Sequence, residues 1–279
     1  MDIKSVQQRL LAIGYRLPKF GADGFMGAET AAVLSQYQRA HGLPVTGQPD
    51  ALTLADLFPP AEAHKMDRGV FYAAVRSSLF AGKLTQYQVE GFEVLLNALE
   101  ADRDDGTPLS LDHAAYMLAT AYHETAYTMH PVRETLASSD DEAIRILDLA
   151  FARGRLPWVR KPYWRKDADG KSWLGRGYVQ LTHKANYQKA AEKTGIDFVG
   201  DPSLAMVPEH AAVILIRGMD EGWFTGRTLD DYLDGVDESD AVDLAEYRAS
   251  RPIINGTDKA AAIAGYALKF EAALKAAGF

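Results

Sequence analysis

Apolar residues recur every three or four positions along nearly every long segment of this chain, and few segments alternate as a strand would. "QYQVEGFEVLLNALEA" sets Val89, Phe92, Leu95, Leu96 and Leu99 on one helical face. "SLDHAAYMLATAYHETA" does the same with Ala115, Leu118, Ala119 and Tyr122, and Ser110 or Asp112 can cap it. "PEHAAVILIRGMDEGWF" and "DKAAAIAGYALKFEAALKAAG" repeat the pattern. Leu156 to Tyr187 breaks it: rich in Gly, Trp, Tyr and Lys, it reads as loops with a short hairpin. The fold class is therefore mainly α with a loop-rich centre, where function tends to sit.

Residues 1–58 form a separate small unit of three helices. Val6, Leu10, Leu11 and Ile13 have near-helical spacing behind Ser5, a candidate N-cap. Thr30 to His41 has helical period through Ala31, Leu34, Tyr37 and Gln38, and Gly42 stops it. Asp50 caps a last short helix. Lys4, Arg9, Arg16, Lys19 and Arg39 balance Asp2, Asp23, Glu29, Asp50 and Asp56, so the whole net charge of −8 lies in the remainder. That asymmetry supports a boundary. Residues 59–66, beginning with two prolines, are read as the linker and 67–279 as the second domain.

The composition, 47% hydrophobic and 24% charged, suits a packed core. The negative charge argues against a nucleic-acid partner. No apolar run approaches the roughly 20 residues of a membrane span, so no stable membrane insertion is expected. The absence of cysteine excludes disulfides and thiolate chemistry. "MDIKSVQQRLLAIGY" lacks the apolar core of a signal peptide, so another agent is expected to carry the protein to any target outside the cytoplasm.

Two glutamates stand out in "AYHETAYTMHPVRET": Glu124 and Glu134. On one unbroken helix they would lie about 15 Å apart, too far for joint work. Pro131 disfavours that helix, and a turn after about Thr128 can bring Glu134 back across a cleft. Inverting glycosidases hold their carboxyl groups roughly 6.5–9.5 Å apart, with a water between. Spacing alone equally allows a structural Glu124 and a solvated Glu134. In "GRGYVQLTHKANY", Gln180 and Thr182 point the same way if the chain is extended, and their amide and hydroxyl suit sugar hydroxyls or a water. A polar hairpin without ligand is the bland alternative. His123 has no second histidine four residues on, so no HExxH zinc motif exists, and structural hydrogen bonds are expected of it. Trp158, Trp164 and Trp173 are candidates for a cleft wall, whereas Trp223 suits the core equally well. "DADG", Asp167 to Gly170, reads as a turn and not a calcium loop. No metal and no cofactor are expected.

The first unit resembles the small three-helix type of peptidoglycan-binding domain through Asp23, Gly24, Gly27, Thr30, Tyr37, Gln38, Gly42, Leu43, Thr46 and Gly47. These positions build the fold, through glycine turns and Thr30 as a helix cap. In the second domain, "HET", a glutamate ten residues later, "GRG.VQLT...NY" and "ING" in that order resemble glycoside hydrolase family 19, which holds plant-type chitinases and phage lysozymes. The resemblance implies a lysozyme-like α+β catalytic domain. It implies Glu124 as general acid, Glu134 as general base and Thr182 as a holder of the attacking water. Gln180, Asn186 and Asn255 match substrate-binding positions, with Tyr178 and Trp173 as further contacts. Tyr122 and its neighbours are expected to desolvate Glu124.

The pattern departs at "GRGYVQLT" and "INGT", and the arginine that often follows "ING" is missing, with Lys259 as a substitute. Together the resemblances imply a monomeric endolysin whose partner is peptidoglycan. It would be held in the host cytoplasm until lysis and then cut the β-1,4 bond between N-acetylmuramic acid and N-acetylglucosamine. The rival readings are a chitinase of the same fold and a wall-binding protein without catalysis.

Overall fold

The structure is a computed structural model that describes residues 2–58, 66–104, 109–236, 239–254 and 256–279. It divides into two compact units, Met1–His64 and Lys65–Phe279. Among the described residues there are eleven α-helices and two very short strands, a mainly α protein with a small helical N-terminal domain.

The first unit holds α1 (Ile3–Ala12), α2 (Ala28–Ala40) and α3 (Ala51–Leu57) around Val6, Leu10, Leu17, Val33, Leu34, Tyr37 and Leu57. Leu11 and Ile13 lie outside that core and are exposed, because the face of α1 that turns inward is the one carrying Val6, Gln7 and Leu10. Asp2, not Ser5, caps α1, its carboxylate accepting from the Ser5 N–H at 2.8 Å. Asp50 caps α3 by accepting from the Thr53 N–H at 2.9 Å. Thr30 caps nothing: α2 starts two residues earlier at Ala28, with Gly27 in the cap position, and the Thr30 hydroxyl is buried against Gln7 Nε2 at 2.9 Å.

Two buried glutamines organise this unit. Gln7 accepts from the Gly24 N–H and donates toward Asp23, the Phe25 carbonyl and Thr30. Gln38 accepts from the N–H groups of Thr46 and Gly47 and lies within donor distance of Thr46, the Gln48 carbonyl and Thr53. Asp23, Gly24, Thr30, Thr46 and Gly47 are thus tied to two side-chain amides, which satisfy backbone groups that so small a core would otherwise leave bare.

The second unit is built on α6 (Leu111–Glu124), in which every residue from Asp112 to Tyr122 is buried. It packs most extensively on α11 (Ala260–Ala276). α4 (Arg68–Ser78) and α10 (Asp240–Ala249) cover other faces of α11, and α5 (Gln86–Asp104) packs on α9 (Pro208–Asp220). Met66 is buried in this core, so the linker as read from the sequence is one residue too long; the rest of it, 59–65, lies outside the described residues. β1 (Val132–Arg133) and β2 (Arg176–Gly177) pair antiparallel, with Val132 opposite Gly177 and Arg133 opposite Arg176. Between them α7 (Asp140–Ala152) and the following loop enclose a satellite core around Trp164. α8 (Lys184–Thr194) follows.

Candidate active site

Glu124 is the last residue of α6, so the most deeply buried helix of the unit fixes its position. The side chain is 17% exposed, and its Oε1 lies 2.9 Å from Nη2 of Arg251, itself buried. The contact is an ion pair and not an aligned hydrogen bond. Arg251 opens a short 3-10 turn, and its Nε donates to the Asp258 carbonyl at 2.9 Å. Tyr122, expected to desolvate Glu124, instead packs among Phe80, Tyr127, Tyr266 and Phe270.

A file of polar groups leads along α6 to this pair. Tyr116, Thr120 and Glu124 are four residues apart and share one helical face. The Tyr116 hydroxyl, the Thr120 hydroxyl, Nη1 of Arg251 and Nδ1 of His123 are all buried without a hydrogen bond among the described residues. Burial pushes the Tyr116 phenol well above its ordinary range. Burial also pushes His123 below the usual 6.5, although the Glu124 carboxylate beside it works the other way. The structural hydrogen bonds expected of His123 are therefore absent at Nδ1.

Seven residues, 125–131, join α6 to β1. Ala126, Tyr127 and Met129 all adopt left-handed conformations, at φ +50, +69 and +59. Non-glycine residues avoid that region, so the surroundings must hold the turn. Thr125 caps the helix with a hydroxyl that donates to the Ala121 carbonyl and accepts from the Met129 N–H. From α5, Gln88 donates to the Tyr127 carbonyl at 3.0 Å, and Tyr87 stacks on His130 at 3.7 Å. The reversal begins at Thr125, earlier than expected, and Pro131 follows it.

Glu134 comes next, directly after β1, and is bonded to Gly175 twice. Its N–H donates to the Gly175 carbonyl at 2.7 Å, and its Oε2 accepts from the Gly175 N–H at 2.8 Å. Its Oε1 accepts from the Tyr163 hydroxyl at 2.6 Å. Burial and this bond push the Tyr163 phenol upward, so it stays a donor. Both oxygens of Glu134 thus have fixed partners, the arrangement of an oriented, acceptor-only carboxylate.

Gly175 is also where Gln180 and Thr182 arrive. A Cβ at Gly175 would sit 2.7 Å from Gln180 Oε1 and 3.3 Å from Thr182 Cγ2. They reach it by another route than the extended one, because Gln180 has φ +54 and residues 176–181 close a tight turn. Gln180 Nε2 donates to the Val132 carbonyl at 3.0 Å. The Thr182 hydroxyl makes no hydrogen bond to another described residue, whereas its carbonyl accepts from Asn186 Nδ2 at 2.8 Å. Asn186 thus steadies Thr182 through the first turn of α8. Arg176 in the same turn is buried and donates to the Ser172 carbonyl and to the Tyr187 hydroxyl. It also pairs with Asp140, whose carboxyl stays below the usual range against the opposing effect of burial.

The structure therefore gathers Glu134, Gln180 and Thr182 around one glycine, and sets Glu124 on Arg251 at the far end of a seven-residue turn. It corrects several other positions. Tyr178 is fully buried, because Gly177 backs its turn onto Ala205 and Ala211 and drives the ring into the core. Trp173 is 5% exposed, with its indole N–H on Asp167 and its ring against Tyr187. Neither can offer a ring face to a sugar. Trp164 is buried too, which leaves Trp158, 73% exposed, as the one surface ring of the three. Lys259 does not pair with Glu124; it stands at the start of α11 with φ +59. Asn255 lies outside the described residues. The sequence reasoning missed Arg251, four residues before Asn255, and Tyr163. An arginine inside the apolar "RPII" was the available signal for the first.

At the opposite end of α6, carboxylate oxygens of Asp112, Asp234 and Glu246 lie within 4.8 Å of one another. Asp112 already accepts from the N–H groups of His113 and Gly235, which accounts for its burial without a metal. No described helix is long and apolar enough to cross a membrane.

Residues 1–57 match the model of the peptidoglycan binding domain family. No curated protein and no solved structure matches the chain. The N-terminal unit is thus a peptidoglycan-binding domain, and the bacterial wall polymer is its partner.

Proposed function

We propose that the second unit hydrolyses the glycan strand of the wall to which the first unit binds, as an endolysin does. Glu124, in its protonated form and with the proton on the oxygen that Arg251 does not hold, gives that proton to the leaving glycosidic oxygen. Glu134, held ready by Gly175 and Tyr163, takes a proton from a water that the Thr182 hydroxyl helps to place. The water attacks the anomeric carbon from the face opposite the leaving group, so the product is inverted. The bond cut is the β-1,4 link between N-acetylmuramic acid and N-acetylglucosamine. A wall-binding unit on the same chain raises the local concentration of the catalytic unit at an insoluble substrate.

The observation that carries this reading is the environment of Glu134. Each oxygen of this carboxylate accepts one fixed hydrogen bond and keeps a second lone pair to take a proton, and Thr182, whose hydroxyl has no described partner, packs at the same glycine. Arg251 holds one oxygen of Glu124, and the other has no described partner.

The test is clearance of outer-membrane-stripped bacteria by the wild type, Glu124→Gln and Glu134→Gln, with melting temperature as a folding control. Each variant should lose about 10²-fold or more in rate. Equal clearance by all three would refute the assignment. Mass spectrometry of the digest should show muramic reducing ends. Glucosamine ends or cut peptides would each identify another bond, and preference for chitin over peptidoglycan would identify a chitinase. Absence of any cut, with wall binding intact, would leave a binding protein.

A further inference from the structure

Asp23, Gly24, Thr30, Thr46 and Gly47 spend their polar groups on Gln7 and Gln38, which leaves them poorly placed to grip the wall as well. The free groups lie elsewhere. An open cleft of about 570 Å³ is lined by Ile13, Gly14, Tyr15, Arg16 and Gln36. The Arg16 guanidinium and the Gln36 amide are exposed and have no partner among the described residues. Backbone hydrogen bonds hold the floor of the cleft. The N–H groups of Gly14 and Tyr15 donate to the carbonyls of Leu11 and Leu10, closing the end of α1, with Gly14 at φ +96. Open space lies over Gly14, and Tyr15 packs edge-on against the buried Tyr37 at 5.6 Å. Ile13 contributes 37% of its surface to solvent as an apolar patch.

Resting on the peptidoglycan-binding reading of this unit, we propose that this cleft is where it holds the wall. Arg16 pairs with a carboxylate of the peptide stem, Gln36 meets an amide of the strand, and Ile13 and Tyr15 support an apolar sugar face. A planar guanidinium matches a carboxylate in a two-bond fork, and an amide side chain both donates and accepts. A neutral N-acetylglucosamine polymer offers Arg16 hydrogen-bond acceptors but no opposite charge. The cleft therefore selects an acidic, peptide-bearing glycan over chitin.

The test is co-sedimentation of the full chain, carrying Glu124→Gln to stop digestion, with purified sacculi. Arg16→Glu should weaken binding by about tenfold or more, and Gln36→Ala by a few fold. Lys4→Glu, the same charge change at the other end of α1, should leave binding unchanged. Sacculi whose carboxylates have been converted to amides should bind the unmutated cleft as weakly as native sacculi bind Arg16→Glu, which needs no variant to fold. If the parent protein fails to sediment, the binding reading falls and this inference with it. If it sediments and the Arg16 and Gln36 variants follow equally, or Lys4→Glu is as weak as Arg16→Glu, the unit binds walls but not through this cleft.

Discussion

Gly91→Ala and Gly265→Ala are the same substitution in two helices of the same unit, and the structure gives them opposite signs. Inside a helix, alanine is ordinarily better than glycine by about 0.5–1 kcal/mol. Gly265, in α11, has nothing within 4 Å of where the new methyl would sit, so Gly265→Ala should gain that amount. Gly91, in α5, faces the seven-residue turn. Its methyl would lie 2.1 Å from the Met129 carbonyl oxygen and 2.7 Å from the carbonyl carbon. To open 2.1 Å to a tolerable 3.0 Å, backbone must move by 0.9 Å. Overpacking costs about 1–3 kcal/mol, and against backbone the upper part of that range applies, so after the helix gain the net effect should be a loss of about 1–2 kcal/mol. For a unit of this size that is a fall in melting temperature of about 2–8 °C. The shift is delivered to the segment that spaces Glu124 from Glu134, and a 1 Å misplacement can cost about 10²-fold in rate. Lysis should therefore fall much further than stability. Calorimetry and turbidity assays on the two variants measure both. A Gly91→Ala protein as stable and as lytic as Gly265→Ala would refute the claim that α5 sets the position of this turn.

Three further outcomes are expected. Arg251→Met leaves Glu124 without its partner and should cost about 2–3 kcal/mol in urea unfolding; combined with Glu124→Gln the loss should fall short of the sum, and additivity would show the pair to be unimportant. Gln38→Ala removes the partner of five groups and should cost about 3 kcal/mol or more, enough to unfold the small unit, seen as protease cleavage before residue 58 and loss of sacculus binding. His123 is held below 6.5 in the fold by burial, so the unfolded chain binds the extra proton first as pH falls. Its stabilising effect is complete above pH 6.5 and is lost on acidification below it. Unfolding free energy should thus decline between about pH 7 and 5 more steeply in the wild type than in His123→Gln, and parallel curves would remove His123 from the account.

Much of this architecture was legible because helices carry their own period. The face of α5 was readable, with Phe92, Leu95, Leu96 and Leu99 buried and Val89 half-buried, as was the Asp50 cap, whereas the one face read for α6 understates a helix that is buried all round. Ser5 and Asp2 are both capping residues, and only the coordinates distinguish a helix that starts at Ile3 from one that starts later. Thr30 has the right chemistry for a cap, but Gln7, 23 residues away, claims its hydroxyl. β1 and β2 have two residues each, too short to show any alternation. Glu124, Glu134, Gln180 and Thr182 could be named from local sequence, whereas Arg251 reaches Glu124 from 127 residues away. Tyr178 and Trp173 sit in a polar stretch that nevertheless turns its rings inward, which composition does not reveal.

The two amides at the centre of the wall-binding unit have a consequence for how the protein meets acid. Neither Gln7 nor Gln38 titrates, and the carboxylates joined to their network, Asp23 and Asp50, are held below the usual carboxylate range by the hydrogen bonds they accept, so that polar centre keeps its state in mild acid, while the larger unit carries a half-buried imidazole beside Glu124. Mild acidification should loosen the larger unit first and leave the wall-binding unit folded and attached.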